Sequence, residues 1–504
     1  MRKVLSVLFL LLLPVLAKAE KVEIDGIWYK LNSENKEAEV TRANISTIKY
    51  GGHIVIPEAV IYDDVSYSVT SIGDYAFNSC SLLQGVTIPN TVRSIGQKAF
   101  SHSSLPQITI PNSVESIGMS AFEQCVNIRE LTLPNSIKDI NSFAFSSCSG
   151  LTSIVIPDSV TTIGAYLFSS CYNLESVTIP NTVKFIGDRA FSFCSKLTEI
   201  ALPDSLVSIG AQTFYNSGIT NITLPNYLKK IELLAFQSCK DLQSVYIGKS
   251  VNYIRENVFE GCKNLKSIVV SPENVTYDSR ESCNAVIETA TNELVVGCGT
   301  TVIPRSVTSI GVKAFAGCEF TEILIPNSVT QLKTEAFANC KWLKSISIPE
   351  SVSLIANKTF DGCDNLLDVY CYPEKMIEVS SGFRLSFPNI SAATLHVLAS
   401  LVEEYCSSSS WNRFGKIVPL TEEELAKRIS NNVVSSALIQ SSNGIIIIQG
   451  LEKGTSVSVY TVSGMEVASG VAEENVTLTL DTQMTKGEVA IVKMGAKSVK
   501  VMMK

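Results

Sequence analysis

Twelve phenylalanines recur along this chain at Phe77, Phe100, Phe122, Phe145, Phe168, Phe191, Phe214, Phe236, Phe259, Phe315, Phe337 and Phe360. Ten of the eleven gaps between them are 22 or 23 residues, and the eleventh, from Phe259 to Phe315, is 56. A fixed period of this length over most of a chain leaves few folds open, because each period must be one small unit stacked on the next. The unit is clearest at Leu151, Ile154, Ile156, Pro157, Val160, Ile163, Gly164, Phe168 and Cys171. It reads L-x-x-V-x-I-P, then S-V-x-x-I-G, then A-F-x-x-C.

The first piece alternates β-branched residues and predicts a short strand, which Pro ends because it has no amide to donate. V-x-x-I-G predicts a second short extended segment closed by a turn. Seven of twelve units carry Gly there; the others carry Asn141, Glu232, Arg255, Lys333 and Ala356, so a positive φ is not compulsory. A-F-x-x-C suits one helical turn that puts Phe and Cys beneath the coil. No unit can bury its own Leu, Val, Ile and Phe. Stacking at the ~4.8 Å strand spacing lets each coil bury the next. With about five inward residues per coil, each worth ~1.5–3 kcal/mol when buried, stacking outweighs surface charge. The expected fold is therefore mainly β, a leucine-rich-repeat solenoid over residues 56–370 with an irregular extended unit at 271–303.

These phrases, SVTSIGDYAFNSCSLL, TVKFIGDRAFSFCSKLTEI and SVTSIGVKAFAGC, resemble the BspA-type leucine-rich repeats of bacterial surface proteins. The resemblance covers residues 50–370, and SRESCNAVIETATNELVVGC resembles an extended unit found inside such arrays. It implies a secreted or surface-attached binding protein, an adhesin in studied members, whose partner is an extracellular protein or glycan.

The ends depart from the repeat. Arg2 and Lys3, an apolar run over 4–16 and Ala17-Lys18-Ala19 predict a secretory signal cleaved between Ala19 and Glu20. The run falls short of the ~20 residues that span a bilayer, so an exported mature chain without a transmembrane segment is expected. Residues 20–55 predict a β-hairpin cap, with Gly26-Ile27-Trp28-Tyr29 and Ala38-Glu39-Val40-Thr41 as its arms. Thr394 to Val397 and Tyr405, Trp411, Phe414 and Ile417 predict a carboxyl-terminal cap over 371–420. A charged linker follows at 421–432. Residues 433–504 read as a small β-sandwich with turn glycines at 444, 450 and 464. Val459-Tyr460-Thr461-Val462-Ser463-Gly464 and the Lys-rich end are similar to type IX secretion sorting domains, although Gly487-Glu488-Val489 departs from their usual G-x-Y. That resemblance implies an outer-membrane secretion machinery as partner; a generic terminal β-domain is the other reading.

Composition and motifs narrow the chemistry. A net charge of −7 and 18% charged residues supply too little concentrated Lys and Arg for nucleic acid. His53, His102 and His396 are the three histidines and lie far apart, so neither zinc sites nor nucleophilic triads are expected. With no phosphate or Ca²⁺ loop either, no cofactor and no catalytic residue is expected. An enzyme would need clustered carboxylates, the irregular 271–303 unit being the place to look.

Ten of the fourteen Cys occupy one repeat position and read as a ladder of buried thiols rather than disulfides, since their Cβ vectors run parallel. Cys283 and Cys298 flank a hairpin and are a candidate disulfide; Cys371 and Cys406 are a weaker pair of the same sort. The outward stripe of the main strand, including Thr132, Thr178, Thr223, Tyr246 and Tyr370, with Glu199 just before it, is the expected binding face. Strand propensity alone also explains its threonines, which keeps a purely structural spacer open as the second reading.

Overall fold

The computed structural model describes residues 20–43, 50–379 and 389–425, and most of 438–503. The predicted signal segment, including Ala19, and most of the linker lie outside the described residues. Two compact units divide the chain, Met1–Ile219 and Thr220–Lys504.

The first unit opens with three antiparallel strands, Glu20–Ile24, Ile27–Asn32 and Glu37–Thr41. The predicted hairpin is its second and third strands. Glu37–Thr41 then runs parallel to Val65–Ile72, so the cap converts an antiparallel edge into the first rung of the repeat. From there the V-x-x-I segments pair parallel coil by coil: Ser94–Ile95, Ser116–Ile117 and Asp139–Ile140, then Thr162–Ile163, Phe185–Ile186 and Ser208–Ile209. Each contributes two residues to the ladder with the Ile buried.

The repeat glycines serve this close stacking. A Cβ at Gly118 would lie 2.5 Å from the carbonyl carbon of Gly96, and one at Gly187 would lie 2.8 Å from the Ala165 nitrogen. Neighbouring backbone, not a left-handed φ, excludes the side chain.

The A-F-x-x-C piece is not a helical turn. Residues two before and two after each Phe are left-handed, as at Tyr166 and Ser170 (φ 57° and 61°) or Arg189 and Phe193 (53° and 60°). The first closes a turn in which Leu167 N donates to Gly164 O at 3.3 Å, the second one in which Cys171 N donates to Phe168 O at 3.2 Å. A positive φ at the third position is the mark of a type II turn. Left-handed residues turn alternate amides outward along the stack: Tyr75, Phe77 and Ser79 donate to Gln97, Ala99 and Ser101 at 2.9, 2.6 and 2.8 Å. A helix would consume those amides within the coil.

Beneath the turns the phenylalanines stack. In the first unit, neighbouring centroids from Phe77 to Phe214 are 5.1–5.7 Å apart and nearly parallel, and Tyr50 of the cap sits 4.9 Å from Phe77 in the leading place. Ladder thiols point back one coil to a main-chain oxygen, Cys125 to Phe100, Cys148 to Phe122 and Cys171 to Phe145 at 3.1, 3.1 and 3.2 Å, whereas Cys80 in the first coil turns to Asn78 O of its own coil. Cys thus fills the pocket and uses the second lone pair of the Phe carbonyl. Where the turn is one residue shorter, the buried Ser103 stands in its place, 3.4 Å from Cys125 Sγ.

The second unit is built of coils of the same kind. Its main strands are better formed: Asn221–Leu224, Ser244–Ile247 and Ser267–Val270 make one parallel sheet. Ser345–Ile348, Asp368–Cys371, Thr394–Val397 and Lys416–Pro419 make another. The predicted carboxyl-terminal cap therefore supplies two further parallel strands, and Leu395, Tyr405 and Trp411 join the repeat core.

Between these sheets lies the extended unit. Asn274 is buried and fully used: its Nδ2 donates to Gly248 O and Val251 O, and its Oδ1 accepts from the amides of Thr276 and Tyr277. The hairpin Val286–Glu288 with Glu293–Val296 follows, and a Cβ at Gly297 would lie 2.1 Å from Phe315 Cε1. Glycine is required there because the hairpin passes against the next Phe ring.

The candidate Cys283–Cys298 bridge is not formed. A bulge shifts the hairpin register between Val286 and Ile287, so continuing Val286↔Val296 places Cys298 across from Asn284. One residue of offset turns a strand side chain to the other face. Cys298 Sγ accordingly lies 3.4 Å from the Asn284 carbonyl, and both thiols are free. Cys371 is buried, Cys406 exposed, and both are free.

The last strands form a separate sandwich with its own core. Leu438–Ser442, Ile445–Gln449 and Leu478–Asp481 make one antiparallel sheet; Glu466–Val471, Ser456–Thr461, Val489–Met494 and Lys497–Met502 make the other. Ile446, Ile448, Val457, Val459, Ala490 and Val492 fill it. Gly444 has the positive φ (80°) expected at its turn, while Gly450, Gly464 and Gly487 lie outside the described residues.

Candidate functional site

The outward stripe is real but uneven. Thr223 and Tyr246 are direct neighbours in the parallel register, with Val269 next, and all three are exposed. The stripe beside them carries Asn221, Ser244 and Ser267, and the Ser244 hydroxyl donates to Asn221 Oδ1 at 2.5 Å. The result is a neutral face of hydroxyls, one amide, one phenol and one isopropyl group, in which the central Tyr246 strand is paired on both sides.

The other predicted residues are placed differently. Thr178 lies in strand Ser176–Thr178 beside Val155, both exposed. Thr132 and Glu199 are exposed but fall in segments without regular strand pairing. The main sheet of the first unit is interrupted at those coils, and the V-x-x-I ladder also breaks once, between Asp139–Ile140 and Thr162–Ile163.

Tyr370 is half-buried. It lies between Ser347 and His396 in register, and the His396 ring covers it with centroids 4.4 Å apart. Burial first, then the charges of Asp368 and Glu424, pushes its phenol above the ordinary range. As an anchor for an outside partner it is already partly occupied, which removes it from the open stripe. His396 itself, with Asp368 and Glu424 around it, escaped sequence reasoning. The three are far apart in a region where the repeat no longer signals position.

The extended unit is held by a polar clasp. Arg280 grips Asp278 through Nε (2.7 Å to Oδ1) and a terminal nitrogen (2.5 Å to Oδ2). It also reaches Asn292 Oδ1 at 2.8 Å and Ser306 Oγ at 3.2 Å. Burial raises the Asp278 carboxyl, but the Arg280 side chain and amide outweigh it and hold it below 3.8. The recess beside this unit, lined by Thr301, Arg305, Phe320, Glu322 and Leu324, presents a single carboxylate. Among the described residues no group of three or more His, Cys, Asp and Glu is placed to hold a metal ion.

Residues 64–175, 161–285 and 297–410 match the model of the BspA type leucine-rich repeat region, in six copies. The chain belongs to that family. A leucine-rich repeat protein of Bacteroides ovatus is 27% identical over 71% of this chain and 99% of its own, with a TM-score of 0.53. That similarity agrees with the stacked coils just described. A leucine-rich cell surface protein of Faecalibacterium prausnitzii aligns over 81% of this chain and 97% of its own at 24% identity and a TM-score of 0.44. No curated protein sequence matches the chain.

Proposed function

We propose that this chain is a secreted or cell-surface binding protein, without enzymatic activity, that presents its outward stripe to an extracellular protein or glycan. The observation that carries the reading is the register of Thr223, Tyr246 and Val269. It sets a neutral, part-aromatic surface on a backbone already ordered by its neighbours, so little conformational entropy is lost on binding. Amide, hydroxyl and phenol groups side by side suit a partner that offers hydroxyls and apolar faces, and Tyr is a common anchor at interfaces. The address rests on the family, one of bacterial surface proteins, and on the signal-like residues 1–19. The sandwich at 438–503 serves, in this reading, as the export or attachment module, and deleting it should change where the protein accumulates.

The experiment is a screen of the chain from Glu20 onward against immobilised extracellular-matrix proteins and a glycan array. A saturable hit weakened about thirtyfold by Tyr246→Ala, as expected for an anchor worth ~2 kcal/mol, supports the reading. Silence on both panels, or a hit indifferent to Tyr246 and Thr223, transfers the weight to a structural spacer.

A further inference from the structure

The carboxyl-terminal cap holds a polar cluster that the open stripe does not use. His396 Nε2 is hydrogen-bonded to Asp368 Oδ1 at 3.2 Å, while its buried Nδ1 lies 3.3 Å from Glu424 Oε1 as a charge contact without a hydrogen bond. The imidazole is 14% exposed, with Tyr370 against one face. Glu424 is itself held in place. Its Oε2 accepts from the Thr421 amide at 2.8 Å while its own amide donates to Thr421 Oγ1 at 3.3 Å, a reciprocal capping box. The Tyr372 hydroxyl donates to the Glu424 carbonyl at 3.3 Å. Residues 421–425 are thereby pinned over the outward face of the last sheet.

Ionised carboxylates only accept, and a neutral imidazole carries one N–H and one lone pair. A neutral His396 can therefore serve one of its two carboxylates while turning a lone pair on the other. Only the ring protonated on both nitrogens carries the positive charge that attracts both. The remaining neighbours do not alter this count. Ser347 and Val418, on the flanking strands, are uncharged. Lys416 is exposed and stands opposite Thr394 rather than His396. Glu422 and Glu423 are exposed on the pinned segment, and the Tyr370 phenol, pushed up, stays neutral.

We propose that His396 is a proton-dependent clasp: protonated on both nitrogens it ties residues 421–425 to the sheet through Glu424, and loss of one proton frees the segment. Acid closes the clasp and alkali opens it.

Lys427 and Arg428, just beyond the segment, allow a test on the full chain. Tryptic cleavage there is measured and divided by the rate for the free peptide of the same sequence at the same pH. Between about pH 5.5 and about pH 8, where an imidazole exchanges its proton, the wild-type ratio should rise about fivefold to tenfold, in keeping with the loss of one charge-assisted contact. Glu424→Gln should be open and flat across the range. His396→Gln should be flat as well, and it answers the same question if the first variant folds poorly. A flat wild-type ratio, or a wild-type rise retained in either variant, overturns the proposal.

Discussion

The thiol of Cys148 donates to the carbonyl oxygen of Phe122 at 3.1 Å, and that oxygen also accepts from the amide of Cys125 at 3.0 Å. One oxygen thus ties its own turn and the next coil together, and the ladder repeats at Cys194, Cys262, Cys340 and Cys363. The first prediction concerns alkaline pH. Burial pushes the Cys125 thiol up from 9.0 to about 11 and that of Cys194 to about 12. The folded chain keeps these protons over a range in which the unfolded chain releases them. Stability is therefore whole below about pH 9 and falls as pH rises toward 11, by about 1.4 kcal/mol per thiol for each pH unit. Denaturant melts of wild type and of a Cys125→Ala, Cys194→Ala variant should show the fall, shallower in the variant. A wild-type stability constant to about pH 10.5 would refute it.

Two glycines of one repeat position should respond differently to a methyl group. The Cβ of Gly118→Ala would meet Gly96 and Gln97 backbone at 2.5 and 2.6 Å, whereas that of Gly164→Ala finds Ser142 N at 3.3 Å. We expect ~2–3 kcal/mol lost in the first case and under ~1 kcal/mol in the second, read from thermal unfolding.

Left-handed residues offer a route to a more stable protein. Ser170 sits at φ 61°, where Gly261, Gly317 and Gly362 occupy the matching place in other coils. Ser170→Gly should raise stability by up to ~1 kcal/mol, since a left-handed L-residue costs ~1–2 kcal/mol and glycine's added chain entropy returns part of that. Ser170→Val should lower it by a similar amount. A Ser170→Gly protein less stable than wild type would show that the turn is not strained.

The Asp278–Arg280 clasp gives a fourth test. The Asp278 carboxyl, held below its ordinary 3.8, contributes stability that is present above that pH and is lost as pH falls through its lower folded value. Arg280→Met should remove this acid-side contribution and speed proteolysis within 271–303 by severalfold, leaving the sandwich at 438–503 unaffected. Equal cleavage of both proteins would mean that the clasp does not hold the unit.

What the sequence disclosed follows physical lines. Inward residues announce themselves because each coil demands the same Leu, Val, Ile and Phe, so the stack was readable. The A-F-x-x-C turn was misread because its three-residue spacing looks helical. Its left-handed positions are filled by Tyr166, Arg189 and Phe193, side chains that ordinarily avoid that conformation. Residue type marks mainly the later of the two left-handed positions, where Gly261, Gly317, Gly362, Asn216 and Asn339 fall. The register of Cys298 depended on a single bulge, which hairpin length does not reveal. The pairing of His396 with Asp368 and Glu424 brings together residues that no periodic rule connects. The open stripe at Thr223 and Tyr246 was legible as a surface, but its polarity looks the same whether it serves a partner or only a strand.

The ladders described above, amide to carbonyl, thiol to carbonyl and ring to ring, all run from coil to coil. Under tension applied at one end, bonds arranged this way bear load a single coil at a time. Each unit should therefore peel in steps rather than rupture as a block, every step paying out one 22- or 23-residue repeat, on the order of 75 Å of extended chain. A stack pulled in this way would lengthen under load and rewind when released, working as a constant-force spring.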